Sequence, residues 1–582
     1  MRPKSIAILI LSLLAYLPLN AQLPPKGERT LHIICTGDVH GSWFDEPYVG
    51  FKTRTSLMSV KHYVDSVRQA VGDYSVMLLD AGDCLQGDNA AYAFNYEVPD
   101  ISHCYARMAA YMGYDAIVVG NHDMETGHEV YDRVNYELGR FGIPWLAGNY
   151  LFEQTGKPYF PAYKIFDRCG LKVAVLGFGN PNLAEWLDDE LWSGIKLESL
   201  IPCVQKWVDE VRAAESPDVV IVVVHSGIGE GDGSQYESQG LDLYNSLSGV
   251  DLLITGHDHR PVAINGENGF SLVNSGSRAG YVGHSEITVK GRSGKLTSKS
   301  VSARTVRLDK KAVDEKMKEV FKADFDYVKR FTLQKVGKLA MPLHTRESYI
   351  GMCDYINFIH TVQLDASKAQ ISFAAPLTFD GNVAAGEVLY NDLFTIYPYE
   401  NQLYVVRLTG AEIKAAMEYV YGGWTSVPGE HVLNISDRAD PRTGSPRWSF
   451  NSRSYNFDSV AGIVYTVDVT KPEGRKINIQ GLADGTPFDP AASYDVAVTS
   501  YRASGGGNIL TEGAGIPKDE LKSRVVARYP QIRDLVRRYL EKKGTVDAGM
   551  VGDRAVLGSW SFVPEDVAGP MLKNDLELIF RH

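Results

Sequence analysis

The chain has 582 residues, of which 44% are apolar and 22% are charged. This length exceeds one ordinary domain of roughly 100–200 residues, and the composition is globular rather than disordered or fibrous. Lys and Arg number 59 against 71 Asp and Glu, which gives a formal net charge of −12. An acidic balance argues against binding to nucleic acid polymers, because contact with their backbone needs a surplus of basic residues.

The first 21 residues have the three-part pattern of a secretory signal peptide. Arg2 and Lys4 give a positive start, Ile6–Leu19 is almost wholly apolar, and Ala21 is a small residue at the expected cleavage point. The apolar run is shorter than the roughly 20 residues that span a bilayer. We therefore expect a periplasmic or secreted protein without stable membrane insertion. A buried N-terminal helix is the alternative.

The cysteines do not form a dense framework. No two of them have the CxxC spacing of a cysteine-bound zinc site. Buried free thiols are the default expectation, and one or two disulfides stay open in an exported protein. The six positions are Cys35, Cys84, Cys104, Cys169, Cys203 and Cys353.

Short apolar, β-branched runs recur in the first half of the chain. They predict strands over Leu31–Thr36, Ser75–Asp80, Ala116–Val119, Leu171–Phe178, Val219–Val224 and Leu252–Thr255. Helical patterns lie between most of them, as over Ser56–Val71 and Cys203–Ala214. Strands that alternate with helices predict an α/β layered core, and runs that are apolar on both faces fit strands covered on both sides.

Five of these strands are followed at once by Asp, Asn or His beside Gly. In an open α/β sheet, ligands bind outside the carboxyl ends of the strands. One such histidine would be a weak signal, but five such segments together are hard to explain structurally. Oxygen and imidazole ligands without thiolates suit two divalent ions such as Zn, Mn, Fe, Co or Mg. The predicted ligands are Asp38, His40 and His259 for one ion and Asn121, His225 and His257 for the other, with Asp83 bridging.

The ordered motifs Asp-x-His, Gly-Asp-x-x-Gln-Gly, Gly-Asn-His-Asp, His and Gly-His-x-His resemble those of the calcineurin-type dinuclear metallophosphoesterases. They look most like the 5′-nucleotidase branch, which also contains 2′,3′-cyclic-nucleotide phosphodiesterases/3′-nucleotidases. The resemblance covers nearly the whole mature chain and is strongest over Leu31–Ser277. It implies a four-layer αββα sandwich and a C-terminal α/β substrate-recognition domain. It also implies that two metal ions hold a hydroxide that attacks the phosphorus of an extracellular nucleotide.

The resemblance gives His122 a catalytic role without metal ligation. In the family this histidine stabilises the transition state or protonates the leaving group, and an Asp three positions later commonly orients it. Here that position is Glu125, while Asp123 follows the histidine directly. Either carboxylate could therefore orient His122. Glu125 could equally be an exposed acid in the first turn of a helix, where negative charge is favourable.

The second half resembles the substrate-recognition domain of the same family. Charged and apolar residues alternate at helical spacing over Ala312–Val336 and predict a solvated connecting helix. This helix divides a catalytic domain at 22–311 from a substrate-binding domain at 337–582, and we expect a hinge or rotation there. Further elements are the strands Ile371–Phe379, Leu403–Leu408, Ile463–Val469 and Tyr494–Thr499 and the helix Ala411–Tyr421.

In 5′-nucleotidases two aromatic rings of this domain sandwich the base. Phe457 and Tyr501 match these positions best, with Tyr455 as the next choice. Stacking on an aromatic ring is worth roughly 1–3 kcal/mol per base and tolerates any base. The alternative is that these are ordinary core or rim aromatics.

The chain departs from typical 5′-nucleotidases at their Gly-Gly-Gly-x-Arg segment. The equivalent stretch, Ser372–Asp380, contains Ala-Ala-Pro and no Arg. It looks more like the cyclic phosphodiesterase/3′-nucleotidase branch, because an Arg fork is the usual bidentate clamp for phosphate. Arg407 and Arg502 could compensate, or they could be surface charges.

Two further functions stay open on the sequence alone. The same chemistry could act on a non-nucleotide or sugar-nucleotide phosphate ester, and a non-catalytic binding protein could retain the fold.

Overall fold

The computed structural model describes residues 27–50, 52–267, 269–292, 295–426, 429–439 and 446–581. The predicted signal peptide lies outside these residues. Within the described ranges no helix combines the length and the apolar character needed to cross a bilayer.

The N-terminal part alternates strands with helices over most of its length. Its strands are β1 (Gly27–Thr36), β2 (Val76–Asp80), β3 (Ala116–Val118), β4 (Trp145–Leu146), β5 (Tyr150–Phe152), β6 (Tyr163–Arg168), β7 (Leu171–Phe178), β8 (Ile195–Leu197), β9 (Val219–Val224), β10 (Leu252–Thr255), β11 (Pro261–Asn265), β12 (Ser271–Ser275), β13 (Tyr281–Arg292) and β14 (Lys295–Arg307). Its helices are α1 (Leu57–Val71), α2 (Asn89–Tyr92), α3 (Cys104–Met112), α4 (Asn121–Met124), α5 (His128–Arg140), α6 (Leu183–Trp186), α7 (Leu200–Glu215) and α8 (Gly240–Ser246).

Two six-stranded sheets pack face to face in this part. Their strand orders are β14-β13-β1-β2-β3-β4 and β11-β12-β10-β9-β7-β6. Side chains such as Ile33 on the first sheet and Val175 and Ile221 on the second form the apolar layer between them. Helices α1, α3 and α5 cover the outer face of the first sheet, and α7 covers that of the second. This arrangement confirms the predicted αββα sandwich.

Local sequence explains why the central elements form where they do. Strand β9 consists of six β-branched residues that are all buried, and burial of each such side chain contributes about 1.5–3 kcal/mol. Helix α1 begins after Ser56, whose side chain accepts a hydrogen bond from the Met58 N–H, and ends at Gly72. The predicted strand and helix bounds in this half agree with the structure to within a few residues.

The connection between the two halves is packed rather than solvated. It consists of α9 (Glu315–Val320) and α10 (Lys322–Thr332), which meet at Phe321, and β15 (Lys335–Leu339) follows. The single predicted helix is therefore wrong in its continuity. Phe331 lies with its ring centroid 6.3 Å from that of Tyr92 in the first half and 4.1 Å from that of Tyr390 in the second. These contacts tie the connection to both halves.

The remaining elements form the C-terminal part. Its strands are β16 (Leu343–His344), β17 (Ile371–Ala374), β18 (Asn382–Val383), β19 (Gly386–Leu389), β20 (Gln402–Thr409), β21 (Ile435–Ala439), β22 (Pro446–Phe450), β23 (Ser459–Ala461), β24 (Ile463–Asp468), β25 (Ile477–Leu482), β26 (Ser493–Thr499), β27 (Val525–Gln531), β28 (Thr545–Val546) and β29 (Gly558–Val563). Its helices are α11 (Asp354–Ser367), α12 (Tyr390–Ile396), α13 (Gly410–Trp424), α14 (Ser500–Ala503), α15 (Lys518–Arg524), α16 (Ile532–Lys543), α17 (Ala548–Val551), α18 (Arg554–Leu557) and α19 (Glu565–Phe580).

A five-stranded sheet of order β23-β17-β26-β20-β27 is the centre of this part. Strand β17 is shorter than the predicted Ile371–Phe379, because it ends at Ala374 just before Pro376, which has no N–H for a ladder hydrogen bond. In this sheet β17 runs parallel to β26 and antiparallel to β23. The end of β17, the end of β26 and the start of β23 therefore lie at one edge.

Candidate metal centre and adjoining cavity

The loops that follow the parallel strands of both sheets converge at one edge of the sandwich. Backbone hydrogen bonds join two of these loops, from Asp38 N–H to Gly82 O at 2.8 Å and from His40 N–H to Asp83 O at 2.9 Å. Five of the eleven non-glycine residues with positive φ in the described part are predicted ligands, namely Asp38, His40, Asp83, His257 and His259. Backbone strain of about 1–3 kcal/mol per residue is thus concentrated at this edge, as is common at functional sites.

The first group of predicted ligands comes together as expected. The Nε2 atoms of His40 and His259 face each other at 2.9 Å, and His259 Nε2 is 3.5 Å from Asp38 Oδ1. The second ring nitrogen of His40, Nδ1, lies 3.3 Å from the carbonyl oxygen of Gln86. Because a carbonyl can only accept, Nδ1 carries the proton and Nε2 presents its lone pair to the site.

The second group lies beside the first. His225 Nε2 is 3.1 Å from Asp83 Oδ2 and 3.0 Å from Asn121 Oδ1, and His257 Nδ1 is also 3.0 Å from Asn121 Oδ1. His225 Nδ1 donates to the carbonyl of Ala81 at 2.7 Å, which leaves Nε2 free to bind a cation.

The donor chemistry of both groups fits divalent cations. Asp38, His40 and His259 form one set whose ligand atoms lie within 4.8 Å of one another, and Asp83, His225 and His257 form another. Both aspartates are fully buried, so their negative charge requires compensation inside the protein. Oxygen and imidazole donors without thiolates suit hard or borderline ions. The residues present therefore fit the two ions that the resemblance implies.

His122 lies at the rim of these groups and contacts Glu125. The distance from His122 Nδ1 to Glu125 Oε2 is 2.5 Å, and the ring of His122 lies 5.4 Å from that of His40. Burial lowers the pKa of His122, but the carboxylates of Asp83 and Glu125 outweigh it and raise the pKa to about 10 in the metal-free chain. Cations bound beside Asp83 oppose this effect.

Asp123 makes no contact of this kind and holds the backbone of the ligand loops instead. It is fully buried, and its carboxylate accepts hydrogen bonds from four backbone N–H groups at 2.8–3.0 Å. The four donors are Asp83, Cys84, Leu85 and Gly120. Gly120 is itself constrained, because a Cβ there would lie 2.1 Å from Asp83 Oδ1. Of the two candidate carboxylates, Glu125 contacts His122 and Asp123 does not.

A cavity of about 930 Å³ opens from the metal-ligand groups toward the C-terminal part. One side is lined by Asn121, His122, Glu125, Trp186, His257 and His259, and the other by Tyr397, Tyr399, Arg453, Tyr455, Tyr501 and Arg502. The predicted ligands and the predicted substrate-binding tyrosine therefore face a common space.

Phe457 does not line this cavity. It is 1% exposed and stacks on Trp424, with ring centroids 5.0 Å apart and an interplanar angle of 9°. Phe450 packs edge-on against the same ring at 5.0 Å. The predicted base contact of Phe457 is thus contradicted by its burial in the core. Tyr455, which was the next choice, lines the cavity together with Tyr501.

Neither predicted arginine offers a free guanidinium to the cavity. Arg502 is 4% exposed, and it donates to Asp458 at 2.7 Å and to Asn456 at 2.9 Å. Arg407 lies on the surface, pairs with Asp495 at 2.8 Å and is not among the residues that line the cavity. Its predicted substrate contact is therefore wrong in this geometry. Arg453 also lines the cavity, and its guanidinium lies over the ring of Tyr455, 5.8 Å from the ring centroid.

Sequence reasoning missed two residues that contact His257. Trp186 stacks on the imidazole with ring centroids 5.2 Å apart at 22°, and Glu237 Oε2 lies 4.0 Å from His257 Nε2. Neither residue follows a predicted strand, so no local pattern indicated them.

All six cysteines are free thiols, as the default expectation had it; five of them are buried, and Cys353 is partly exposed. None of them belongs to the clusters of metal-type side chains found among the described residues. A third cluster of metal-type side chains, His32, His284 and Glu286, lies on the outer face of the first sheet. Arg304 already pairs with Glu286 at 2.9 Å and lies 3.0 Å from His284 Nδ1. This guanidinium supplies the positive charge there.

Comparison with known proteins identifies the class. Residues 31–261 match the calcineurin-like phosphoesterase family, and residues 335–512 match the 5′-nucleotidase C-terminal domain. The chain belongs to the calcineurin-like metallophosphoesterases that carry a 5′-nucleotidase C-terminal domain, a family of hydrolases.

Three similar proteins illustrate the range of this family. The chain is 24% identical over 544 residues to a 2′,3′-cyclic-nucleotide 2′-phosphodiesterase/3′-nucleotidase of Salmonella typhimurium, covering 82% of this chain and 81% of that protein. It is 25% identical over 571 residues to the trifunctional nucleotide phosphoesterase protein YfkN of Bacillus subtilis, covering 86% of this chain but only 37% of that protein. The solved structure of a putative 5′-nucleotidase from Staphylococcus aureus superposes with a TM-score of 0.73 at 21% identity, over 92% of this chain and 99% of that one. The last similarity establishes the shared fold.

Proposed function

We propose that this protein is an exported phosphoesterase that uses two divalent metal ions to hydrolyse nucleotides. Residues 22–311 form its catalytic domain, 337–582 its substrate-binding domain and 312–336 the connection between them. The observation that carries the proposal is one cavity of about 930 Å³ that is lined by members of both ligand groups, namely His259 of the first and Asn121 and His257 of the second, and also by Tyr455 and Tyr501. A phosphate at the ligand groups and a base at the tyrosines fit into one continuous space.

The seven predicted ligands would hold the two ions, with Asp83 between them. When bound, the ions supply Lewis-acid chemistry that neutralises the phosphate and lowers the pKa of water. The chain itself fixes the tautomers of His40 and His225 through backbone carbonyls, so that both present Nε2. Glu125 holds the His122 ring at the cavity wall, where the cationic imidazole can stabilise charge or protonate the leaving oxygen.

Tyr455 and Tyr501 would hold the base. The residues around the phosphate then decide between a 5′-monophosphate and a 2′,3′-cyclic nucleotide or 3′-monophosphate as the substrate. Ala374 and Ala375 stand at the cavity wall where 5′-nucleotidases have Gly-Gly-Gly-x-Arg, and the donors of Arg502 are already engaged. We therefore favour a 2′,3′-cyclic nucleotide and its 3′-monophosphate over a 5′-monophosphate. The Salmonella relative carries that name. The second candidate is a 5′-nucleotide, for which Arg453 at the cavity wall is the available clamp.

The test is phosphate release by metal-reconstituted protein from 2′,3′-cyclic AMP, 3′-AMP and 5′-AMP in parallel, with ring opening followed by chromatography. Preference for the first two supports the favoured branch. Preference for 5′-AMP that falls in Arg453→Ala, but not in the surface control Arg407→Ala, supports the second candidate. No turnover of any nucleotide with two metals bound would contradict both and indicate a non-nucleotide ester. Export is tested by fractionation of cells that produce the full chain.

A further inference from the structure

Helix α11 places a buried, unpartnered amide at the wall of the cavity. Gln363 is fully buried, and it lines the wall of the cavity together with Ile359, Ala374 and Ala375. Its Nε2 has no hydrogen-bond partner among the described residues. A buried donor without a partner costs about 1–3 kcal/mol, and most such groups in proteins are paired. The Gln363 Nε2 donor is therefore available to an acceptor that enters the cavity.

Hydrogen bonds fix which end of this amide faces the cavity. Ser372 Oγ donates to Gln363 Oε1 at 2.6 Å, a distance typical of O–H···O rather than N–H···O bonds. Ser372 in turn lies 2.9 Å from His360 Nδ1, and Ser459 Oγ lies 3.1 Å from His360 Nε2. The Ser372 hydroxyl has one proton, which it donates to Gln363 Oε1, so this hydroxyl accepts from His360 Nδ1–H. The lone pair of His360 Nε2 then faces Ser459 Oγ, whose one proton also lies within reach of the carbonyl oxygen of Ala374, 3.4 Å away. The amide oxygen is then occupied, and the NH₂ group is the free end.

The sheet places this amide near the two tyrosines. Strand β17, whose Ser372 holds Gln363, lies between β23 and β26, and Ala374 pairs with Ser459. Tyr455 precedes β23 and Tyr501 follows β26, so both leave the sheet at the edge where β17 ends. All three side chains line the same cavity. A planar ring between the tyrosines would direct one edge toward this part of the wall.

We propose that Gln363 is a specificity-determining residue whose NH₂ group donates a hydrogen bond to an acceptor on the base of the substrate. The inference rests on the proposed nucleotide function. The neighbouring wall residues Ile359, Ala374 and Ala375 have apolar side chains, so a ligand without an acceptor leaves the donor unpaired. Sites built to hydrogen-bond a substrate discriminate against analogues that cannot form the bond.

The experiment compares Gln363→Met, which keeps the length of the side chain and removes the donor, with the control Thr361→Val. Thr361 lies on the same helix and has an unpartnered buried hydroxyl, but it does not line the cavity. Each variant is assayed with the best nucleotide substrate and with phenyl phosphate, which has no base. We expect Gln363→Met to lower kcat/KM for the nucleotide about tenfold, mainly through KM, since a lost hydrogen bond is worth about that factor. Phenyl phosphate turnover stays unchanged, and Thr361→Val matches the wild type on both.

Three results overturn the inference. Equal losses on both substrates mean that Gln363 acts only through the structure, and unchanged nucleotide turnover means that water or nothing satisfies the amide. If the wild type hydrolyses phenyl phosphate but no nucleotide, the proposed function itself fails. This last result is seen in the wild type before any variant is made, so the two failures are distinguishable.

Discussion

Replacement of Asp123 by Asn should destabilise the loops that carry the candidate metal ligands. The Asp123 carboxylate accepts four backbone N–H groups, two on each oxygen. Asn keeps one acceptor oxygen and turns the other position into an NH₂ donor that faces two N–H donors. Two buried donors are then unpaired, at about 1–3 kcal/mol each, which gives a loss of about 2–6 kcal/mol.

The first assay is urea unfolding of the wild type and of Asp123→Asn after a chelator has removed any bound metal. The second is an analysis of the metal content of both proteins after reconstitution with metal. The metal-free comparison isolates the hydrogen bonds, and the metal analysis reports the position of Asp83 in the loop. We expect lower stability and less than two bound equivalents. Glu125→Gln is the matched control, because Glu125 contacts His122 and not the ligand loops. It should keep stability and metal content and lose activity. An Asp123→Asn protein as stable as the wild type would refute this account of Asp123.

Three further predictions follow from the described contacts. Burial lowers the pKa of His360 to about 3, so below the ordinary histidine pKa of about 6.5 the unfolded chain takes up a proton that the native state does not. Stability therefore falls as the pH is lowered, by about 2 kcal/mol between pH 6.5 and 4.5. Urea midpoints for His360→Gln should show a shallower acid dependence, and parallel profiles would contradict this. Asp575 is fully buried, and its Oδ2 accepts from the backbone N–H groups of Val432 and Leu433 at 2.8 and 2.9 Å. Asp575→Leu removes this acceptor and leaves two buried donors unpaired, so it should lower stability by about 2–6 kcal/mol, while the exposed control Glu577→Leu should not; equal midpoints would contradict it. If the connection acts as a hinge, solution scattering should change when a non-hydrolysable substrate analogue is added, and superimposable curves would count against a large motion.

The convergence of the candidate metal ligands could be predicted because each of them closely follows an apolar strand. The runs ending before Asp38, Asp83 and His225 are buried strands of the two sheets, and parallel topology brings their carboxyl ends to one edge. The sequence could not show which of Asp123 and Glu125 contacts His122. Both carboxylates lie within three residues of the histidine, in or directly after the same short helix. The two residues differ because the Asp123 carboxylate accepts hydrogen bonds from backbone N–H groups of a loop about 40 residues away in the chain, which leaves Glu125 to contact His122.

Which aromatic residues line the cavity on the substrate-binding side depends on packing between segments that are distant in the sequence. Tyr455 and Phe457 are two residues apart, and their exposure is decided by Trp424 from another helix, which covers Phe457. Gln363 carried a weak signal that was not used. Asn357, His360 and Gln363 repeat every three residues on one face of α11, and all three are buried. Buried polar residues at that spacing indicate a polar network, and a network with a free donor indicates a ligand.

The measurement that tests the central claim most directly is a titration of chelated protein with Mn²⁺ or Zn²⁺ in which bound metal and phosphate release from the best nucleotide are followed together. We predict no activity without metal, two bound equivalents, and full activity only as the second equivalent binds. Asp83→Asn should weaken both sites, because we propose that the Asp83 carboxylate bridges the two ions. Full activity in the metal-free protein, or a single equivalent that suffices in both proteins, would contradict the account.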